Sequence, residues 1–240
     1  SGILDVVAVN GNITQTGALE VGGSSGFTTQ ADDATITLTD PANVLSGGVT
    51  FTSTDTNAND AEAVSLTNAA ATILAGSTET GDFTLNSNGG VSQTGPLDID
   101  GTTLITEAAD DIPVLLTDPA NALTGAITIV SDDTDGDDAE IVRIVNSIAT
   151  ILGGTTESGT LDVTAASGNL TQTGPLDVDG ASAFTTQADD ATITLNDPAN
   201  AMVGGVSFTS TDTDADDAEA VALTNSLATV LAGTTETGDF

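Results

Sequence analysis

The chain repeats itself with a period of just under eighty residues, and this self-similarity limits the possible fold more than any other feature. Gln-Thr-Gly recurs at Gln15, Gln93 and Gln172, and Asp-Pro-Ala-Asn at Asp40, Asp118 and Asp197; both series have intervals of 78 and 79 residues. Residues 27–38 reappear unchanged from Phe184 to Leu195. The first ten residues align with residues 158–167. Residues 1–10 therefore read as the tail of a preceding repeat, followed by repeats at 11–88, 89–167 and a truncated 168–240. All of 1–240 is expected to form one continuous solenoid segment, in which stacked neighbours bury a core that no single unit could bury alone.

Each repeat divides again. ITQT, ITLT and VSLT begin at Ile13, Ile36 and Val64, and the next such start is Val91, giving spacings of 23, 28 and 27 residues. Each subdivision holds three short alternating runs separated by Gly, Asp-Pro, Asn or Ser, the pattern of half-buried strands. The arithmetic predicts an all-β parallel β-helix with three short strands per coil and about nine coils, stacked about 4.8 Å apart. Parity places Ile36, Leu38, Val64, Leu66, Leu19, Val21, Val49, Phe51, Phe83 and Leu85 inside, with Thr37, Thr39, Thr67, Thr50 and Glu20 outside. Large positions stay large between repeats: Phe27, Ile105 and Phe184; Phe51, Ile129 and Phe208; Leu45, Leu123 and Met202. Equivalent side chains are expected to pile up along the axis. Gln15, Gln93 and Gln172 share inward parity, and a buried amide must find partners such as turn carbonyls.

Composition excludes several functions. There are 36 acids and one base, Arg143, for a formal charge of −35, with no Cys, His, Trp or Tyr. Without thiolate or imidazole, no zinc or haem site of the usual kind and no Cys or Ser-His-Asp nucleophile can be built. Nucleic acid and anionic membrane surfaces would be repelled. No apolar run approaches the roughly 20 residues of a spanning helix.

The pattern GNITQTGPL…ITLTDPAN.L.G.V.F…L.N….L.G….G.L.V is carried by Gly11–Leu19, Ile36–Phe51 and Leu66–Leu85 and twice more downstream. It resembles the repeats of filamentous-haemagglutinin-like and autotransporter-type bacterial surface β-solenoid proteins. The resemblance implies a right-handed parallel β-helix in a long secreted or surface-anchored protein used for adhesion, reach or matrix building. The scarcity of Lys and Arg and the acidic loop in every repeat depart from that family's pattern.

That loop reads Asp55-x-Asn57-x-Asn59-Asp60-x-Glu62, then Asp133-x-Asp135-x-Asp137-Asp138-x-Glu140, then Asp212-x-Asp214-x-Asp216-Asp217-x-Glu219. Five positions carry a side-chain oxygen in all three copies, and Asn replaces Asp in the first, as oxygen coordination of Ca²⁺ permits. Solvated Asx turns are the plainer alternative. Loops recurring every three coils would lie about 14 Å apart, close to the ~10 Å Debye length of 0.1 M salt, so bound cations would relieve repulsion along the rod. Asp32-Asp33, Asp110-Asp111 and Asp189-Asp190 form paired acids at a second corner. Because the pair recurs in every repeat, a solvated turn is expected there and no catalytic residue is assigned.

The middle repeat has Leu115, Arg143, Val145 and Val130 where its neighbours carry Thr37, Ser65, Thr67 and Thr52. Leu115, Arg143, Val145 and Val130 are the candidate partner contacts, a small apolar patch with one cation; drift on a tolerant surface is the plainer alternative. T-x-T pairs at Thr14/Thr16, Thr37/Thr39 and Thr171/Thr173 also admit an ice-binding ladder, which those middle-repeat residues would interrupt. The expectation is a non-enzymatic structural segment of an extracellular cell-surface or matrix fibre, with adhesin and ice-binding roles as alternatives. Its expected partners are other copies of the repeat or fibre, laterally or end to end, and a cell-surface ligand.

Overall fold

A computed structural model describes residues 2–57, 61–78, 80–131, 140–211 and 218–235. Those residues contain strands and no helix. Strand pairing is parallel throughout, in two long sheets wound together as a β-solenoid. The first sheet is eleven strands deep, from Leu4–Ala8 to Val230–Thr235. The second runs from Ile13–Thr14 to Val221–Leu223. Alternation in the sequence becomes alternation in burial. Ile36 and Leu38 are buried on either side of half-exposed Thr37, and Thr50 is exposed between buried Val49 and Phe51.

The third alternating run of a coil does not form a comparable face. Glu20–Val21 pairs Val44–Leu45, Asp98–Ile99 pairs Ala122–Leu123, and Asp177 and Val178 pair Ala201 and Met202, each a ladder two residues long. Elsewhere a turn passes straight between the long sheets. Only residues 69–71 separate Val64–Asn68 from Thr72–Thr78, which leaves no room for a third strand.

In the first repeat the second sheet receives Ile13–Thr14, Ile36–Leu38, Val64–Asn68 and Phe83–Ser87, and the first sheet receives Ser25–Thr29, Gly48–Thr52 and Thr72–Thr78. Seven passes make three and a half turns, so the second repeat begins on the opposite sheet, at Val91–Gln93. Phe27 and Phe184 therefore lie in the first sheet and their counterpart Ile105 in the second. The expectation that equivalents of all three repeats pile into one column is corrected: they alternate between facing walls.

The core is continuous all the same. Phe27 stacks on Phe51 at 6.0 Å, and Phe51 meets Phe83 edge-on across the facing sheets at 5.9 Å. Phe184 on Phe208 repeats the first contact at 5.9 Å. Ile105, Ile129, Leu45, Leu123 and Met202 are all at most 1% exposed.

Where neighbouring turns approach most closely, the chain uses glycine. An added Cβ at Gly125 would stand 2.2 Å from the carbonyl oxygen of Gly101 one turn below. Gly47 over Gly23 and Gly204 over Gly180 repeat the arrangement, at 2.3 and 2.1 Å. No other residue fits such a contact.

Candidate cation-binding corners

Turns that carry an acidic loop are the longest. Ile36 pairs Val64, Val114 pairs Val142, and Ile193 pairs Val221, each a step of 28 residues, whereas Thr72 to Val91 takes 19. Each of these turns thus contains more chain than a complete turn needs. The last acid of each loop returns to the solenoid wall. Glu62, Glu140 and Glu219 are buried, at 0–1% exposure.

Each of these glutamates faces the Asp pair of the preceding turn. Asp33, Asp111 and Asp190 adopt a left-handed backbone with φ of 57°, 61° and 59°, a conformation that Asp and Asn tolerate better than most residues. Their amides donate to Glu62, Glu140 and Glu219 Oε1 at 2.7, 3.2 and 3.1 Å. One carboxylate oxygen from each of Asp32, Asp33 and Glu62 lies within 4.8 Å of the others, as do those of Asp110, Asp111 and Glu140, and of Asp189, Asp190 and Glu219. Such clusters could hold a metal ion. The paired acids, expected as separate solvated turns, are therefore joined to the loop by the fold. Sequence distance hides this, since Asp33 and Glu62 are 29 residues apart.

At the first corner Asp32 accepts from the Thr56 amide at 2.8 Å and from Asn57 Nδ2 at 2.8 Å. The Thr56 backbone bond and then its side chain hold the Asp32 carboxyl below the usual carboxylate range against an opposing burial effect, with a lesser contribution from the Asn57 amide. Asn57 also donates to Asp33 at 3.4 Å, and its own amide N–H is taken by Asp55 at 2.8 Å. Of the loop residues expected as ligands, Asn59, Asp60, Asp133, Asp135, Asp137, Asp138, Asp212, Asp214, Asp216 and Asp217 lie outside the described residues.

The half-turn offset changes the electrostatics. Asp32-Asp33 sits where the chain crosses from the first sheet to the second, and Asp110-Asp111 where it crosses back, so successive corners occupy opposite edges. Corners on one edge, at Asp33 and Asp190, are seven strand steps apart, about 34 Å. The expected 14 Å spacing along one edge is corrected, and at 0.1 M salt repulsion between corners is largely screened. The strong repulsion is inside each cluster.

The glutamines are half-buried rather than buried, and they find partners in the other repeated motif. Asp40 Oδ1 accepts from the Ala42 amide at 2.9 Å, and Asn43 N–H donates to the Asp40 carbonyl at 3.1 Å. This Asp-Pro turn delivers Asn43, fully buried, to Gln15 of the turn below. Gln15 Nε2 donates to Asn43 Oδ1 at 2.8 Å and Asn43 Nδ2 to Gln15 Oε1 at 2.9 Å. Gln15 also reaches the Gly17 carbonyl at 2.8 Å. Gln93 with Asn121 and Gln172 with Asn200 repeat the pairing. One turn further on, Asn68 accepts from the Leu45 amide and donates to its carbonyl, at 3.0 and 3.1 Å. The glutamines are structural, and the signal for their partners was the recurring Asn of Asp-Pro-Ala-Asn.

The middle-repeat substitutions divide between the sheets. Leu115 pairs Arg143, and Val145 lies two residues beyond, on the first sheet. Val130 is in the second sheet and does not join them, a correction that follows from the half-turn. Leu115 and Val145 are half-buried, and Arg143 forms a salt bridge to Asp162 at 3.2 Å with both side chains about half exposed, worth no more than about 1 kcal/mol. The same offset moves Leu115, Arg143 and Val145 off the threonine face. On the second sheet Thr14, Thr37, Ser65 and Thr84 follow one another and are interrupted by Leu104 instead.

Glu107 replaces the buried Thr29 and Thr186 of the other repeats and is 1% exposed. Burial raises its carboxyl above the ordinary range, against the opposing Ala109 and Gly90 amide bonds. A raised folded-state value costs stability as pH climbs through it and costs nothing below the unfolded value. Glu107→Gln is expected to raise the melting temperature at pH 7 by about 2–4 °C. The gain should vanish near pH 3, as followed by circular dichroism; an equal gain at both pH values refutes the assignment.

Together these features define a repeat β-solenoid whose turns are joined by buried amides and whose edges carry acidic corners. The chain belongs to a family of repeats of unknown function (DUF5649), which matches residues 1–52, 61–130 and 139–209. The two gaps between matched stretches fall on acidic loops, so the matched unit is the solenoid wall. Comparison with curated proteins and with solved structures returns no match.

Proposed function

We propose that the chain is a non-enzymatic structural segment of an extracellular surface or matrix fibre, with acidic corners that take up Ca²⁺. The observation that carries this reading is the unbroken eleven-strand path of the first sheet over one continuous core. Main-chain ladders along the axis and interlocked Gln–Asn pairs resist stretching and bending, and the function is reach. The polar chemistry recurs with the repeat, as a load-bearing array requires, and a solitary reaction centre would not. The dense negative charge keeps such rods dispersed.

Surface location is the part to test. Immunogold labelling of intact producing cells is expected to decorate filaments or a matrix outside the envelope. Label confined to the cytoplasm of sectioned cells refutes the fibre reading.

A further inference from the structure

Resting on that cation-coated reading, we infer that the centre of each metal site is a clamp between consecutive turns, formed by Asp32, Asp33 and Glu62 and their two equivalents, and that it takes Ca²⁺.

Two independent observations carry this. The first is convergence: three carboxylates from two turns come within 4.8 Å in every repeat. A triangle of at most that size has its centre at most about 2.8 Å from each oxygen, which admits the 2.3–2.6 Å of Ca²⁺–oxygen bonds. Ca²⁺ accepts six to eight oxygens in flexible geometry, whereas Mg²⁺ demands a near-ideal octahedron that three side chains from two turns do not impose. The second is burial without compensation. Glu62, Glu140 and Glu219 have one oxygen on an Asp amide, while Oε2 of each is buried with no hydrogen-bond partner. Buried hydroxyls such as Thr29 Oγ1 share that state, but an uncompensated carboxylate oxygen is far more costly than a hydroxyl. The chain's single base is held by Asp162. A hard cation supplies what each triad lacks.

The loops differ in charge: Asn57 and Asn59 of the first stand where the second has Asp135 and Asp137 and the third Asp214 and Asp216. The Asn57 amide nitrogen donates to both Asp32 and Asp33, so an internal donor already meets some of the negative charge. With fewer charged groups in its loop, the first clamp is the weakest of the three.

Ca²⁺ uptake by the whole chain, stripped with chelator and titrated calorimetrically in 0.1 M KCl, tests the inference. The expected result is saturable uptake with two tighter sites and one weaker, and a higher melting temperature. Asp111→Asn and Asp190→Asn keep a residue suited to the left-handed backbone and should each weaken one tight site about tenfold or more. Glu140→Gln retains an acceptor for the Asp111 amide and serves as a second variant, with β-sheet circular dichroism checking the fold. If Ca²⁺ at millimolar concentration is not taken up, both the cation reading and the clamp are overturned. If wild type binds and these variants bind equally well, the cation reading stands and the clamp falls.

Discussion

Gly125→Ala is expected to destabilise the solenoid by about 3 kcal/mol, within the range of overpacking in a closed interior. For a chain of this size that lowers the melting temperature by about 6–12 °C. The sign is not trivial. Replacing Gly by Ala at a permissive site stabilises by about 0.4–1 kcal/mol, because the unfolded chain loses freedom. At Gly125 the new Cβ would stand 2.2 Å from the Gly101 oxygen and 2.6 Å from its carbonyl carbon, both main-chain atoms of the neighbouring turn. Relief requires prising two turns apart, which weakens ladders on both sheets. Gly17→Ala is the control, since nothing lies within 4 Å of a Cβ there. Thermal melts of the two variants should separate clearly. Equal midpoints would show that the turns are more loosely stacked than described.

The other large effect is expected at Asn121. Its side chain is fully buried; Oδ1 accepts from Gln93 and from the Leu97 amide at 2.9 Å, and Nδ2 donates to Gln93 at 3.1 Å and to the Val145 carbonyl at 3.0 Å. Asn121→Leu keeps the branched outline but strands a main-chain N–H, a carbonyl and the Gln93 amide. At about 1–3 kcal/mol for each buried group left unpaired, a loss of about 3–5 kcal/mol is expected, or about 10 °C or more in the midpoint. A cycle with Gln93→Ala should show coupling of at least about 1 kcal/mol. Additive effects would mean that the two amides do not act as a unit.

Inward and outward faces were legible because a strand's side chains alternate strictly, and Ile36, Thr37 and Leu38 sort themselves with no knowledge of neighbours. Winding was not. The runs at 18–21 (ALEV) and 82–86 (DFTLN) alternate alike, yet the first contributes the two-residue strand Glu20–Val21 and the second the full second-sheet strand Phe83–Ser87. What separates them is how much chain the intervening turns leave, and that depends on the stacking itself. The Gln–Asn pair lay nearer the surface of the sequence. Both motifs stood out, and their 28-residue separation is about one coil. The clamp was further off: Asp32-Asp33 and Glu62 were each noticed, but only register brings a corner and the end of the next turn's loop together.

An odd number of half-turns per repeat has a mechanical corollary. Whatever asymmetry one copy introduces on its flank, through a bulky loop or a bound ion, the following copy introduces on the other. Any bend favoured by one unit is countered by its successor. A long tandem array would thus run straight, show a structural period of two sequence units, and offer the same decoration to neighbours on its left and on its right.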